Sequence, residues 1–373
     1  MANSGKGGSG FINSGGRKKF TNTGGRAVIE IRDPAAGEEE PPTLMKNPWF
    51  IRPFEMLISS YSLPHYNEIE PTPFFAMLFL LMFGLMFGDI GHSGLLLVTG
   101  ILMWWRGKLM IRDAGVILTF CGISGVIFGA VYGSVFGYEF HELVIGERQI
   151  RFLNPLANAN RVLMITVLFG VAVISLGIVL NIVNRFRRRE YIAGAIDRFG
   201  IIGGIFYWGS LVVAARGIVQ QKVSWLAIAL LVIAPLVILF IYHPAKSIAA
   251  KLRGRHGEHD ESGIAVLLIE SAAESFETVL AYVANTLSFA RIGAFALAHA
   301  GLSIAVYRLI DIVHEMPGGP VWTVLVFIFG TLLIVLLEGL IVAIQSLRLE
   351  YYEFFGKFYR GEGRKYDPFK LKA

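Results

Sequence analysis

The stretch ETVLAYVANTLSFARIGAFALAHAGLSIAVYR, residues 277–308, decides the fold of this chain. Its charged side chains are limited to Glu277, Arg291 and Arg308. A helix needs about 20 predominantly apolar residues to cross the hydrocarbon core of a bilayer. An arginine inside such a helix is costly, and by default it faces a protein interior or a wet cavity. The stretch therefore predicts a membrane helix with a functional polar face.

Polar side chains of this helix fall on one side. At 100 degrees per residue, Glu277, Ser288 and His299 all lie within about 100 degrees of Arg291, as do Glu270 and Glu274 on the N-terminal extension of the helix. The rise from Glu277 to His299 is roughly 33 Å, close to the thickness of the hydrocarbon core. We expect a polar stripe that crosses the membrane.

A second polar set lies on the last apolar segment, where Glu338, Gln345 and Arg348 fall within about 80 degrees of one another on a helix. We expect this set to face the first stripe. Because an arginine does not lose its proton, the predicted role of Arg291 is electrostatic: it favours the ionised form of a nearby carboxylate.

The composition excludes an ordinary soluble domain. The 373 residues are 54% hydrophobic and 17% charged, whereas soluble domains are about one-quarter charged. The net charge of +6 is spread along the chain, which argues against a nucleic-acid partner. Cys121 is the single cysteine, so the chain forms no internal disulfide and no cysteine-rich metal site.

The apolar pattern predicts an all-α polytopic membrane protein with eight transmembrane helices. The expected spans are about 74–88, 92–105, 114–137, 161–183, 199–219, 223–243, 270–308 and 321–350. Residues 74–105 fit either one kinked span or two short ones. With two, twelve basic residues lie in the loops of one side and six in those of the other, which favours eight spans and cytoplasmic termini.

Composition also divides the chain into two regions. Residues 1–45 are rich in glycine and proline and are predicted to be disordered. Residues 46–373 form the predicted transmembrane domain. No phosphate-binding loop is found, so we expect no ATP binding by this chain and no cofactor.

Structural explanations compete with functional ones at several positions. Glu270 and Glu274 are expected to be solvated residues at a helix end. Buried ion pairs of Glu277 and Glu338 with Arg291 and Arg348 would satisfy all four charges without any transport.

Single residues have similar alternatives. His299 could be a packing histidine, and Arg348 could extend to the membrane interface. Asp89 and His92, in FGDIGHSG, are predicted to be structural, because two ligands do not make a zinc site. His256 and His259 are expected in an exposed loop.

The segment NTLSFARIGAFALAHAGLS, residues 285–303, resembles the seventh-helix signature of subunit a, also called subunit I, of V-type and archaeal A-type rotary ATPases. Three further segments agree in order, and the resemblance covers roughly residues 43–373. They are NPWFIRPFEMLISSYSLPHYNEIEPTPFFAMLFLLMFGLMFGDIGHSG at 47–94, LEGLIVAIQSLRLEYYEFFGKFYRGEG at 337–363 and KYDPF at 365–369.

The resemblance implies a role for each matching residue. Arg291 is similar to the family's essential arginine, and Arg348 to its second arginine. Glu338 resembles the acid associated with the outer half-channel, and His299 the histidine of the AHA motif. Glu277 resembles the acid at the cytoplasmic end of helix seven.

Asn285 resembles the asparagine that opens the signature. The Asp89 and His92 motif belongs, in the family, to the first helical hairpin, away from the contact with the ring.

The resemblance also implies partners and a mechanism. The last two helices would be long and tilted, and would lie against a rotating ring of small lipid-embedded subunits that carry carboxylates. Ions, protons by default rather than sodium, would enter one half-channel, neutralise a ring carboxylate and leave through the other. Peripheral and central stalks would connect this motor to a separate soluble head that handles ATP.

One departure concerns attachment to the stalks. Members of the family carry a large cytoplasmic N-terminal domain, whereas about 45 residues precede the matching region here. Either the sequence is a fragment or another polypeptide supplies that domain. Two other functions stay open: a secondary transporter, which predicts an inverted repeat with discontinuous helices, and a structural assembly subunit with buried ion pairs.

Overall fold

The computed structural model describes most of the predicted transmembrane domain and little of the N-terminal region. The described residues are 13–14, 17–21, 28–31, 42–66, 68–140, 142–145, 148–151, 153–220, 224–242, 264–361, 363–364 and 366. The predicted disorder of residues 1–45 falls mostly outside these ranges, as do His256, His259 and most of KYDPF.

Helices dominate the described chain. They are α1 (Arg52–Tyr61), α2 (Thr72–Met86), α3 (Ile90–Arg106), α4 (Leu109–Tyr132), α5 (Ala159–Arg187), α6 (Tyr191–Ile196), α7 (Ile201–Gln220), α8 (Trp225–Tyr242), α9 (Ile264–Ser288), α10 (Ala290–His314) and α11 (Gly319–Phe358). Helix α8 contains a π-helical turn at Ala229–Ile233, and α11 contains two, at Ile334–Glu338 and Leu349–Phe355.

Short strands accompany the helices in two places. Before the helical region, β1 (Asn13–Ser14), β2 (Arg17–Thr21) and β3 (Val28–Ile31) form a small antiparallel sheet. Between α4 and α5 lie two hairpins, β4 (Ser134–Val135) with β5 (Tyr138–Glu139) and β6 (Glu142–Ile145) with β7 (Arg148–Arg151). The predicted all-α class holds for the membrane region.

Six apolar stretches of helix in the described residues are long enough to cross a membrane. They are Met110–Tyr132, Ala159–Arg187, Gly194–Ile218, Trp225–Tyr242, Leu268–His314 and Gly319–Phe358. The predicted number of eight is not confirmed, because α2 has 15 residues and α3 has 17. At 1.5 Å per residue, these two helices are shorter than the roughly 30 Å hydrocarbon core. They nevertheless form two separate helices, not one kinked helix.

Glycines bring α3 and α4 into backbone contact. A Cβ on Gly100 would lie 2.5 Å from Thr119 N, and one on Gly122 would lie 2.6 Å from Leu97 N. Contacts at these distances exclude any side chain, so the glycines allow a helix spacing that larger residues would prevent. Helices α3 and α4 are therefore closely packed along the hairpin that follows the turn between α2 and α3.

Helix α4 ends earlier than the predicted span 114–137. Gly133 follows Tyr132 in the left-handed conformation, with φ of 71°, which ends the helix. Phe136 and Gly137 also have positive φ and form the tight turn of the β4–β5 hairpin. This turn returns the chain toward the start of α3.

A turn at Phe289 divides the predicted span 270–308 into α9 and α10. The Phe289 side chain is fully buried and occupies a notch at Gly170 of α5, where a Cβ would lie 2.4 Å from the ring. Ile292 N bonds Phe289 O at 3.1 Å, which is the tighter spacing of a turn. Phe289 itself keeps right-handed helical backbone angles, so α9 and α10 together still form the single apolar stretch Leu268–His314.

Aromatic rings fix the C-terminal half of α11 against α2. The Phe75 ring stacks with that of Tyr351 at 5.9 Å between centroids and lies 5.6 Å from that of Phe355. Phe75 and Phe355 are fully buried. Such aromatic pairs contribute about 0.5 to 1.5 kcal/mol beyond their buried area. This cluster therefore sets where α11 lies relative to α2.

The glycine contact makes a testable prediction. Gly122→Ala should destabilise the protein by about 1 to 3 kcal/mol, because the new methyl group overlaps the α3 backbone. Gly94→Ala is the matched control, since a Cβ on Gly94 meets no atom within 4 Å; it should be neutral or stabilising by up to about 1 kcal/mol. Thermal unfolding in detergent measures both. Equal effects of the two variants would contradict this account of the contact.

Candidate functional site

Helices α10 and α11 are antiparallel and hold two groups of polar side chains at different heights. We name the group of Glu338, His299, Asp89 and His92 the carboxylate layer, and the group of Arg291, Gln345 and Arg348 the arginine layer. On α10, eight residues separate Arg291 from His299, which corresponds to about 12 Å. The two layers are thus distinct sites along the same helix pair.

A histidine and a carboxylate form the centre of the carboxylate layer. His299 Nδ1 lies 2.9 Å from Glu338 Oε2, and both side chains are buried. A carboxylate only accepts hydrogen bonds, so with Glu338 ionised the ring N–H of His299 donates. The Phe87 ring, 5.0 Å from that of His299, closes one side. Glu338 ends the first π-helical turn of α11, a kind of turn frequent at functional sites.

The arginine layer is more open. Arg291 is half-buried, and its Nη1 donates to Gln345 Oε1 over 3.3 Å. Arg348 lies one turn beyond Gln345 and is exposed. The predicted grouping of Arg291 with Gln345 is therefore present as a contact between α10 and α11.

Arg348 ends an exposed ridge of α11 that is otherwise apolar. The residues of this ridge recur every three or four positions, which places them on one face of the helix. They are Leu325, Phe329, Leu332, Leu336, Leu340 and Ile344, each more than half exposed. Inside a membrane, a cation on such a surface would face lipid, which does not solvate a charge.

A second exposed surface, on α10, consists of small residues. Ala294, Ala298, Gly301 and Ala305 are all exposed, and a Cβ on Gly301 would meet no atom within 4 Å. Small residues at this spacing let another helix approach closely.

The remaining predicted site residues lie on α9 and do not join either layer. Glu277 pairs with Arg198 over 3.2 Å on the surface. Glu270 is also exposed, Asn285 is half-buried, and Ser288 donates to Ala284 O over 2.9 Å. The single stripe predicted from periodicity is thus divided at Phe289.

The structural alternative predicts buried ion pairs of the two arginines with Glu277 and Glu338, but these two acidic residues have other partners in the structure. Within the described ranges, no ion pair joins Arg291 or Arg348 to Glu277 or Glu338. Glu338 instead contacts His299, and Glu277 contacts Arg198. Among the described residues, no carboxylate forms a direct ion pair with Arg291.

Asp89 and His92 belong to the carboxylate layer, which sequence reasoning missed. The His92 and His299 rings are 5.4 Å apart between centroids. Asp89 lies at the start of α3, where its Oδ1 accepts from His92 N over 2.8 Å, and all three side chains are buried. The motif is thus in direct proximity to His299, and its position away from the ring contact stays a prediction. No local spacing signals a contact between residues so far apart in sequence.

The β4–β5 turn holds Asp89 in place. Phe136 N and Gly137 N donate to its two oxygens over 3.0 and 2.7 Å, and Ser134 Oγ donates over 2.6 Å. These bonds are consistent with the predicted structural role of Asp89, since they connect the α2–α3 hairpin to the chain that follows α4.

These features define an integral, polytopic membrane protein with ionisable side chains inside its helix bundle. Residues 16–137 and 243–371 match the V-type ATPase 116kDa subunit family, and the chain belongs to that family. The resemblance seen in the sequence is thereby confirmed.

Relatives of known name give the same result. The chain is 30% identical over 385 residues to the A-type ATP synthase subunit I of Methanocaldococcus jannaschii, which covers 93% of this chain and 51% of the relative. It is 29% identical over 366 residues to that of Thermococcus kodakarensis, with 94% and 51% covered, and 30% identical over 378 residues to that of Pyrococcus horikoshii, with 96% and 51% covered. The chain spans about half the length of these relatives.

Stability should depend on the contact between His299 and Glu338. Glu338→Ala removes the acceptor and leaves a buried ring nitrogen without a partner, which costs about 1 to 3 kcal/mol in addition to lost packing. Glu338→Gln keeps an acceptor oxygen and should recover most of this loss.

The matched control is Glu277→Gln, which breaks an exposed ion pair and should change the free energy of unfolding by less than about 1 kcal/mol. Thermal unfolding in detergent measures all three variants. If Glu338→Ala were no more destabilising than Glu277→Gln, the buried contact would not stabilise the fold.

Proposed function

We propose that this chain is the ion-translocating stator subunit of a V/A-type rotary ATPase or ATP synthase. In this function α10 and α11 face a rotor ring of small membrane subunits whose carboxylates carry the ions. The relatives of known name are subunits of A-type ATP synthases. ATP chemistry belongs to other subunits of the complex.

The observation that carries the proposal is the state of the two arginines. Arg291 is half-buried and held by a neutral amide, and Arg348 is exposed at the end of an apolar ridge. Charged side chains inside a membrane almost always face a protein interior or a wet cavity and pair with another group, and no carboxylate of the described chain contacts either arginine. A carboxylate that arrives from a partner would supply the missing charge.

The surface beside Arg291 suits a moving helical partner. The small residues Ala294, Ala298, Gly301 and Ala305 let helix backbones come close, and they make no polar contact that would hold a partner in one position. A ring that passes Arg291 step by step needs both properties.

His299 of the carboxylate layer and the polar residues of α9 lie on opposite sides of Arg291 along the chain, which is the separation that a two-step ion path needs. Glu338 and His299 would line the outer half-channel, and Glu277, Asn285 and Ser288 would line the cytoplasmic one. An ion that enters from one side neutralises a ring carboxylate. Arg291 favours the ionised carboxylate and so promotes release on the other side. Protons are the proposed ion, with sodium less favoured.

The proposal includes a topology. The hairpin α2–α3 completes eight membrane crossings, which places both termini in the cytoplasm according to the distribution of basic residues. Helix α11 has 40 residues, about 60 Å at helical rise, so it must tilt or extend beyond the bilayer. Peripheral and central stalk subunits are the further proposed partners.

The first test concerns Arg291. Arg291→Ala should abolish ATP-driven proton uptake by membranes that contain the assembled complex, because ring carboxylates no longer release their protons. Arg216→Ala on α7, where the arginine is exposed and far along the chain from both layers, should leave uptake unchanged. Co-purification of the ring shows that assembly persists in both variants.

Normal proton uptake by an assembled Arg291→Ala complex would overturn the proposed mechanism. Loss of assembly in this variant alone would instead favour the structural alternative, in which the arginines only complete contacts between subunits.

The second test concerns the small-residue surface. Ala298→Trp should reduce co-purification of the ring, because the indole prevents close approach of a partner helix. Leu230→Trp adds the same ring system to an exposed position of α8 and should have no effect. Equal recovery of the rotor ring with both variants would show that α10 does not face it.

A further inference from the structure

Three side chains of the carboxylate layer have the arrangement of metal ligands. One ligand atom each from Asp89, His92 and His299 lies within 4.8 Å of those of the other two, and all three residues are buried. We propose that they form a binding site for a single Zn²⁺ ion or a similar transition-metal ion. This proposal concerns binding and does not depend on the proposed ion transport.

The ligand types favour zinc over magnesium or calcium. Zinc sites with an open position commonly use three protein ligands drawn from histidine and carboxylate side chains. Magnesium and calcium prefer oxygen ligands alone. The sequence offers Asp89 and His92 as a local pair, and the fold adds His299 from α10 as the third ligand.

Two imidazole nitrogens in this cluster lack hydrogen-bond partners. His299 Nε2 and His92 Nδ1 are both fully buried without one. His92 Nδ1 is 3.0 Å from Asp89 Oδ1, but the two groups are not aligned for a hydrogen bond. A buried polar atom without a partner costs about 1 to 3 kcal/mol. A metal ion between the rings would satisfy both nitrogens.

The surroundings of the ligands resemble those of established metal sites. Metal-binding histidines usually donate their other ring nitrogen to a carboxylate, which fixes the tautomer. Glu338 is such a carboxylate partner, since it accepts a hydrogen bond from His299 Nδ1. The lone pair of Nε2 then points away from Glu338. Hydrogen bonds from the β4–β5 turn hold Asp89 in the same way.

Binding requires one local change. Each Asp89 oxygen already accepts two hydrogen bonds, which uses its lone pairs. The Ser134 hydroxyl can rotate away and free one of them, since it is the single side-chain donor in this set. A cavity of about 10 Å³, lined by His299 and Ser134 among others, has room for about one water molecule near the site. A three-ligand zinc site takes a water as its fourth ligand.

The test is a count of bound metal. The complex that contains this chain is purified in detergent, stripped with a chelator and equilibrated with Zn²⁺, and bound zinc is measured per chain. His92→Gln and His299→Gln should each lose one equivalent. His314→Gln is the matched control, because this histidine is exposed at the end of α10, and it should bind as the wild type does.

A second variant addresses the carboxylate behind His299. Glu338→Gln should keep the site but weaken its zinc affinity by about 10- to 100-fold. Equal zinc content in the wild type, His92→Gln and His299→Gln would overturn the proposal.

The wild type provides a measurement that needs no variant. With one equivalent of Zn²⁺, its X-ray absorption spectrum should contain two imidazoles at about 2.0 to 2.1 Å. A spectrum with oxygen ligands only would also overturn the proposal.

Discussion

The structure depends on one constraint: a polar group inside a bilayer has to find its partner within the protein, because lipid offers none. His299 and Glu338 meet this constraint by contacting each other across α10 and α11, and Asp89 meets it by collecting donors from the β4–β5 turn. These contacts require fixed distances between helices. The glycines between α3 and α4 and the aromatic cluster around Phe75 maintain those distances. Packing of apolar residues thus supports the buried polar contacts of the carboxylate layer.

Much of the fold follows from the sequence because hydropathy is a local property. A run of apolar residues indicates a helix regardless of its neighbours, and six long apolar helices occur where the sequence has long apolar runs. The break at Phe289 was not predictable in this way, because the notch that receives its ring is formed by Gly170 on another helix. The end of α4 at Tyr132 was predictable from the local sequence, because a glycine follows at position 133. The hydropathy pattern alone does not show this helix end.

Parts of the candidate site were also predictable, because they depend on local properties of the sequence. Gln345 and Arg348 share a face of α11 because of helical periodicity, and Arg291 is conspicuous as a charge within an apolar stretch. The contact of Asp89 and His92 with His299 depends instead on how α2, α3 and α10 pack together. Helical angles give a direction for each side chain but no distance to another helix. Glu277 shows the limit: it has the predicted direction, but it lies beyond the break and pairs with Arg198.

Exposure of Arg348 has a consequence for the biogenesis of the protein. On translocon scales, insertion of an arginine costs about 2.5 to 3.5 kcal/mol at the centre of a membrane helix and less near its ends. Arg348 lies toward the C-terminal end of α11 and has no ion-pair partner among the described residues. A newly inserted subunit therefore has a higher free energy in lipid than the same subunit beside an acidic partner. Under the proposed function, this difference would make copies without the rotor ring less stable than assembled ones, and therefore better substrates for membrane proteases.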